Sequence, residues 1–217
     1  MNSEEKRVIY CSGPLFCPEE RYGMALVAET LEASGFDTFL PQRDGLEKIV
    51  MPLVRARRFQ GGIFGKINLF VSKGIFCLDL FQIVERCHAL VINMNGRVPD
   101  EGGVAEAAIA FTLGKPVILY KHDDRSAFCG HDNSMILGLS QDFTTVDDIK
   151  QIPVLLKRLL ADTVFPAQDT LPETLKKRVE FGREIWSSLN KVRDNPSLTR
   201  KGNEILRLAA RFGGRNI

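Results

Sequence analysis

The chain has 217 residues, 44% of them hydrophobic and 26% charged, with 29 Lys and Arg against 27 Asp and Glu. Those are the proportions of a globular protein, and a net charge of +2 excludes the excess of positive charge that bulk binding to nucleic acid requires. No apolar run approaches the roughly 20 residues that cross a bilayer, and Met1 to Lys6 is too polar to open a signal peptide, so the expectations are a cytoplasmic location and neither a membrane nor a nucleic-acid partner.

Val8 to Ser12 is short, β-branched and aromatic, and Gly13-Pro14 cuts it off, which predicts a buried strand followed by a turn. From Pro18 to Ser34 the spacing of Met24, Ala25, Ala28 and Leu31 predicts an amphipathic helix closed by Gly35. Phe36 to Leu40 is the second strand. Leu46 to Gly74 is less regular, with Arg55, Arg57, Arg58 and four glycines from Gly61 to Gly74, and reads as a mobile loop or insertion with one or two short helices. A helix from Ile75 to Arg86 leads into the third strand, Ala89 to Asn93, whose lack of polar alternation means cover on both faces. An alanine-rich helix, Gly103 to Leu113, precedes a fourth strand at Pro116 to Tyr120. A short fifth strand near Phe143-Thr144 and a helix from Val146 to Leu160 follow, and two more helices, Pro172 to Leu189 and Leu198 to Arg211, complete the chain. Strand alternating with helix predicts a doubly wound, Rossmann-like α/β fold with a parallel sheet of about five strands.

Charge divides along the same line. Phe165 to Ile217 carries 11 Lys and Arg against 6 Asp and Glu, leaving 18 against 21 for Met1 to Val164. The expected organisation is an α/β domain over 1–164 and a basic helical extension over 165–217. Cys11, Cys17, Cys77, Cys87 and Cys129 are odd in number with no C-x-x-C pair, and His88, His122 and His131 lack ligand spacing, so neither a disulfide framework nor a metal centre is expected.

Parallel sheets bind ligands at the carboxyl ends of their strands. Three such ends carry unusual polar residues: Ser12-Gly13-Pro14-Leu15-Phe16, the run from Asn93 to Glu106, and His122-Asp123-Asp124. Glu106 stands out because it falls one turn inside a helix otherwise built from Val, Ala and Ile. A helix-start acid gains roughly 0.3–1 kcal/mol from the dipole, which accounts for Glu101 but not for a deeper carboxylate. Asp100 suits an N-cap or a site acid, and the two roles are compatible. Gly102-Gly103 allows close approach to the helix start, yet no G-x-G-x-x-G or G-K-[ST] motif is present.

Four separated segments resemble the nucleoside 2-deoxyribosyltransferases and the related deoxynucleotide N-glycoside hydrolases. They are Ile9-Tyr10-Cys11-Ser12-Gly13-Pro14-Leu15-Phe16, Leu78-Asp79-Leu80, Pro99-Asp100-Glu101-Gly102 through Glu106, and Asn133-Ser134-Met135. The resemblance implies Glu106 as nucleophile, Asp79 and Asp100 as acids that hold the base and move its proton, and Tyr10 as a hydrogen-bond partner of the nucleophile. It implies a substrate pocket drawn from Ser12, Gly13, Phe16, Asp44, Gly102, Asn133 and Met135, with Asn133 completing the site of a neighbouring subunit in a homo-oligomer. The implied partners are a small-molecule nucleoside and a free nucleobase, with no metal and no cofactor. The implied reaction is transfer of a 2-deoxyribosyl group between nucleobases through a glycosyl-glutamate. The alternatives are an N-glycoside hydrolase of a nucleoside or its 5′-monophosphate, with Ser12, Arg43 or Arg55 to Arg58 holding the phosphate, and a non-catalytic nucleotide-binding module.

Overall fold

The computed structural model describes residues 6–50, 62–126, 132–165, 171–192 and 195–212. Four strands are described, β1 (Val8–Ser12), β2 (Asp37–Phe39), β3 (Ala89–Asn93) and β4 (Val117–Tyr120). The longer helices are α1 (Pro18–Ala33), α2 (Gly62–Phe81), α3 (Glu101–Thr112), α4 (Gln151–Asp162), α5 (Glu173–Leu189) and α6 (Leu198–Phe212). The chain divides into two compact units, residues 1–40 with 83–167 and residues 41–82 with 168–217. No described helix is long and apolar enough to cross a membrane.

The first unit is built on one parallel sheet in the order β2-β1-β3-β4. β3 and β4 are buried throughout, which explains their unbroken apolar runs. Connections run from β1 outward to β2 on one side and from β3 to β4 on the other, so the topological switch point lies between β1 and β3. Pairing sets Tyr10 beside Leu90 and Ser12 beside Ile92, which brings that point to the end of β1.

Side chains two apart on a strand share a face. Ile9 and Cys11 of β1 join Val91 and Ile118 beneath Met24, Val27, Ala28 and Leu31 of α1 and Ile152, Leu156 and Leu160 of α4. Each Val, Leu, Ile or Met among them contributes about 1.5–3 kcal/mol on full burial. Tyr10 and Ser12 point to the opposite face, where α3 packs through buried Gly103, Ala107 and Ala110. α1 opens on a Cys17 cap with Pro18 behind it, and Glu20 reaches back to accept the Cys17 N–H at 2.9 Å. Before β3 lies a π-helical turn, Gln82–Arg86, and the partly buried ammonium of Lys115 donates to the carbonyls of Ile83, Val84 and Cys87 at 2.6–2.9 Å.

The doubly wound α/β architecture is as expected, but the fifth strand is reduced to one bridge between Val146 and Tyr120. Phe143 instead closes a 3-10 turn, Gln141–Phe143, in which Asp142 and Phe143 both take positive φ (62° and 55°). Left-handed backbone at two successive residues cannot extend into a strand. The following helix accordingly starts at Gln151 rather than Val146.

The second unit is helical. Its α2 covers ground expected to be largely loop, and glycines at 62, 65 and 74 explain the misreading, since each weakens helix propensity by about 1 kcal/mol. Packing supplies what propensity withholds. Gly74 lies against Leu46 and Ile185, and a Cβ on Gly182 of α5 would run into the Cys77 carbonyl of α2. Arg178 lies over the Phe76 ring and Arg183 over Phe81, at 5.6 and 5.9 Å from the ring centres. Residues 168–217 therefore group with 41–82. Arg55 to Arg58 lie outside the described residues.

Candidate active site

The face of β1 that carries Tyr10 and Ser12 meets the first turns of α3, and Glu106 closes the gap. The Tyr10 hydroxyl donates to Glu106 Oε1 at 2.8 Å, and the Ser12 hydroxyl donates to Oε2 at 2.5 Å. Both strand residues are fully buried, and Tyr10 is itself fixed by the Phe39 ring with 5.4 Å between centres. Glu106 is half-buried. Burial pushes its carboxyl up to about 7, the two hydroxyl donors pull it back, and the nearby charge of Asp100 adds to the rise. Near neutral pH the group therefore exchanges readily between acid and carboxylate.

Local chemistry sets this geometry. Asp100 is the N-cap of α3, its Oδ2 accepting the Gly103 N–H at 2.7 Å. A Cβ on Gly103 would stand 3.0 Å from Ser12 Oγ and 3.1 Å from Ile92 Cδ1, so a larger residue would press these neighbours by a few tenths of an ångström where α3 meets β1 at the Ser12–Glu106 bond. Gly13 has φ +146°, and a Cβ there would meet Met24 Sδ at 2.8 Å; the turn that ends β1 needs glycine on both counts.

Among the residues singled out in the sequence, Tyr10, Ser12, Asp100, Gly102 and Glu106 lie together at the switch point. Ser12, expected on the substrate side, bonds the Glu106 carboxylate directly. Phe16 is 78% exposed and Met135 82% exposed, and no hydrogen bond joins Asn133 to Glu106. The Asn133 side chain accepts the Met135 N–H at 2.9 Å and caps the helical turn Ser134–Leu137. Beside it, Lys121 at the end of β4 pairs with Asp132 at 2.5 Å, with only 6% and 12% of the two side chains exposed. Asp44 and Asp79 belong to the second unit, where Arg43 pairs with Asp44 at 2.8 Å and Asp79 is buried in α2.

The sequence profile of the nucleoside 2-deoxyribosyltransferases matches residues 9–140, which spans the Tyr10–Ser12 strand, the Glu106 helix and the Asn133 turn. The chain belongs to that family. Nucleosides and nucleobases as small-molecule partners follow from the membership. Among solved structures, a conserved protein from Enterococcus faecalis V583 is similar at 19% identity and a TM-score of 0.54, covering 71% of this chain and 99% of that one. At that identity the likeness speaks for the fold. No curated protein matches the chain.

Sequence reasoning marked both polar strand ends after β3 and β4 but not that they join in a second polar cluster in this unit. Asn93, Asn95 and Asp123 bond one another's loops at the ends of β3 and β4. The only signal for it was the density of Asn and Asp at those two strand ends.

Proposed function

We propose that the protein transfers a 2-deoxyribosyl group from one nucleobase to another, with Glu106 as the nucleophile. The observation that carries this reading is the Glu106 carboxylate held at the switch point by the Tyr10 and Ser12 hydroxyls. Two fixed donors orient both oxygens and stabilise the ionised form in a site that otherwise disfavours it, so that the anion faces the anomeric carbon when a nucleoside binds.

In the first half-reaction a Glu106 oxygen forms a bond to C1′ as the C1′–N bond breaks. The electron pair of that bond leaves with the base, whose nitrogen takes a proton from Asp100. The oxocarbenium-like transition state gains from the adjacent negative charge. In the second, a nitrogen of the incoming base attacks C1′, releases Glu106, and returns its proton to the same carboxyl. Two displacements retain the configuration. Phe16, Gly13 and Gly102 would line the base and sugar pocket, and Asn133 with Met135 would reach the site of a neighbouring copy, their exposure leaving them available to it.

Incubation of a purine deoxynucleoside with a second free base tests the reading. A new nucleoside is expected, and Glu106→Ala should lower its formation by at least about 10³-fold, as removal of a nucleophile does elsewhere. Free deoxyribose as the only product would make the protein a hydrolase, and appreciable turnover by Glu106→Ala would remove the nucleophile assignment.

A further inference from the structure

The loop that joins β3 to α3 carries Asp100 at its far end, and it is held along its length by side chains with no part in the chemistry above. Asn93 Oδ1 accepts the Asn95 N–H at 3.0 Å, and Asn95 Oδ1 accepts the His122 N–H at 2.8 Å. The Gly96 N–H donates to Asp123 Oδ2 at 3.0 Å. Asp123 is in turn gripped by Arg125, whose backbone N–H donates to Oδ1 at 2.8 Å and whose Nε bonds both oxygens at 2.8–2.9 Å, with Nη2 on Oδ2 as well. The carboxylate thus accepts from two loops at once.

Gly96 makes this contact decisive for the chain path. Its φ is +119°, a backbone conformation without regular partners, and Asp123 supplies the acceptor for its N–H. Only Arg97, Val98 and Pro99 separate Gly96 from Asp100. At the other end, the α3 cap fixes Asp100 through Oδ2 alone, while Oδ1 makes no hydrogen bond with the described residues. The cap sets where the side chain starts. The loop before it sets how the Asp100 backbone enters the helix.

We propose that Asp123 is a positioning residue for the transfer reaction: by anchoring Gly96 it fixes the 96–100 loop and hence the aim of Asp100 at the leaving base. This rests on the assignment of Asp100 as a proton-carrying acid. Asp123 touches no reacting atom in this scheme. A misplacement of an acid by an ångström costs on the order of 10²-fold in rate, so the effect belongs in kcat.

The test is a double-mutant cycle on the full chain. Asp123→Ala should lower kcat by about 10-fold or more. Asp123→Asn, which keeps an acceptor for the Gly96 N–H, should recover most of it. In an Asp100→Ala background the Asp123→Ala change should cost little further, because the group it aims is gone; a purely structural role would reduce activity equally in both backgrounds. Circular dichroism and melting curves for each variant separate this from unfolding, and Arg125→Ala, which leaves Gly96 its acceptor, provides a milder second probe. Unchanged kcat in folded Asp123→Ala, or full additivity in the cycle, overturns the proposal. Undiminished activity in Asp100→Ala alone would instead overturn the acid assignment on which it stands.

Discussion

The corner around Glu106 and the turn around Asn133 and Met135 are built on opposite terms. At Glu106 both hydrogen-bond donors come from the same chain. Buried Tyr10 and Ser12 donate to both oxygens, and Gly103 lets the helix close on the strand. At Asn133 the support is beneath the turn, in the Lys121–Asp132 pair, while Met135 faces outward with 82% of its surface exposed. A group that must be desolvated and aimed is best assembled within one protomer, because its cost then falls on folding. On the proposed reading the Asn133 turn serves a neighbouring copy, and its geometry suits that use, anchored at the base and open at the tip.

Three substitutions would break or sharpen that contrast. The largest effect on stability belongs under the open turn. Lys121→Met leaves Asp132 as an uncompensated, mostly buried carboxylate, and should lower stability by about 3 kcal/mol; a melting temperature within a degree of the native protein would mean that the base of the turn is not anchored by this pair. Next comes Glu106→Gln. The native carboxyl has a folded pKa near 7 against an ordinary 4.5, so the folded state holds its proton more tightly than the unfolded chain. Stability from this group is therefore lost as pH rises from about 4.5 to 7, and the cost stays in full above that. Glu106→Gln removes it and forfeits about 1 kcal/mol of hydrogen bonding, so at pH 8 the variant should be the more stable by about 2 kcal/mol, with the advantage gone near pH 4. Denaturation at both pH values decides, and a constant difference would show that burial does not strain this carboxylate. The smallest effect on stability is expected from Met135→Ala, within about 0.5 kcal/mol as for other surface changes. Its transfer activity should nonetheless fall, and be restored when it is mixed with an inactive Glu106→Ala partner that contributes an intact Met135. Full activity of the variant alone would make the turn an ordinary surface feature.

Much of the first unit can be read from sequence because local pattern and final structure agree there. β1, β3 and β4 are short apolar runs ended by polar residues, and the alanines of α3 match a helix pressed on a sheet. Glu106 is conspicuous for the same reason, as an acid among small apolar neighbours. Reading fails where distant residues decide. α2 reads as loop because its glycines disfavour helix, and Gly182, more than a hundred positions later, is what receives it. The fifth strand fails at Asp142 and Phe143, whose positive φ leaves no mark in residue type. Ser12 bonds Glu106 across 94 positions and Asp123 bonds Gly96 across 27, and neither pairing has a periodicity to betray it.

The alternation along β1 places Ile9 and Cys11 in hydrocarbon and the hydroxyls of Tyr10 and Ser12 against α3. A slip of one residue between β1 and β3 would exchange the two sets, pushing a serine hydroxyl into the apolar layer and offering an isoleucine and a thiol to Glu106. Correct registration and chemical competence are thus one and the same condition. Under the proposed reaction, a chain that locks its sheet one position out would be inactive toward nucleosides, so transfer activity would double as an assay of proper folding.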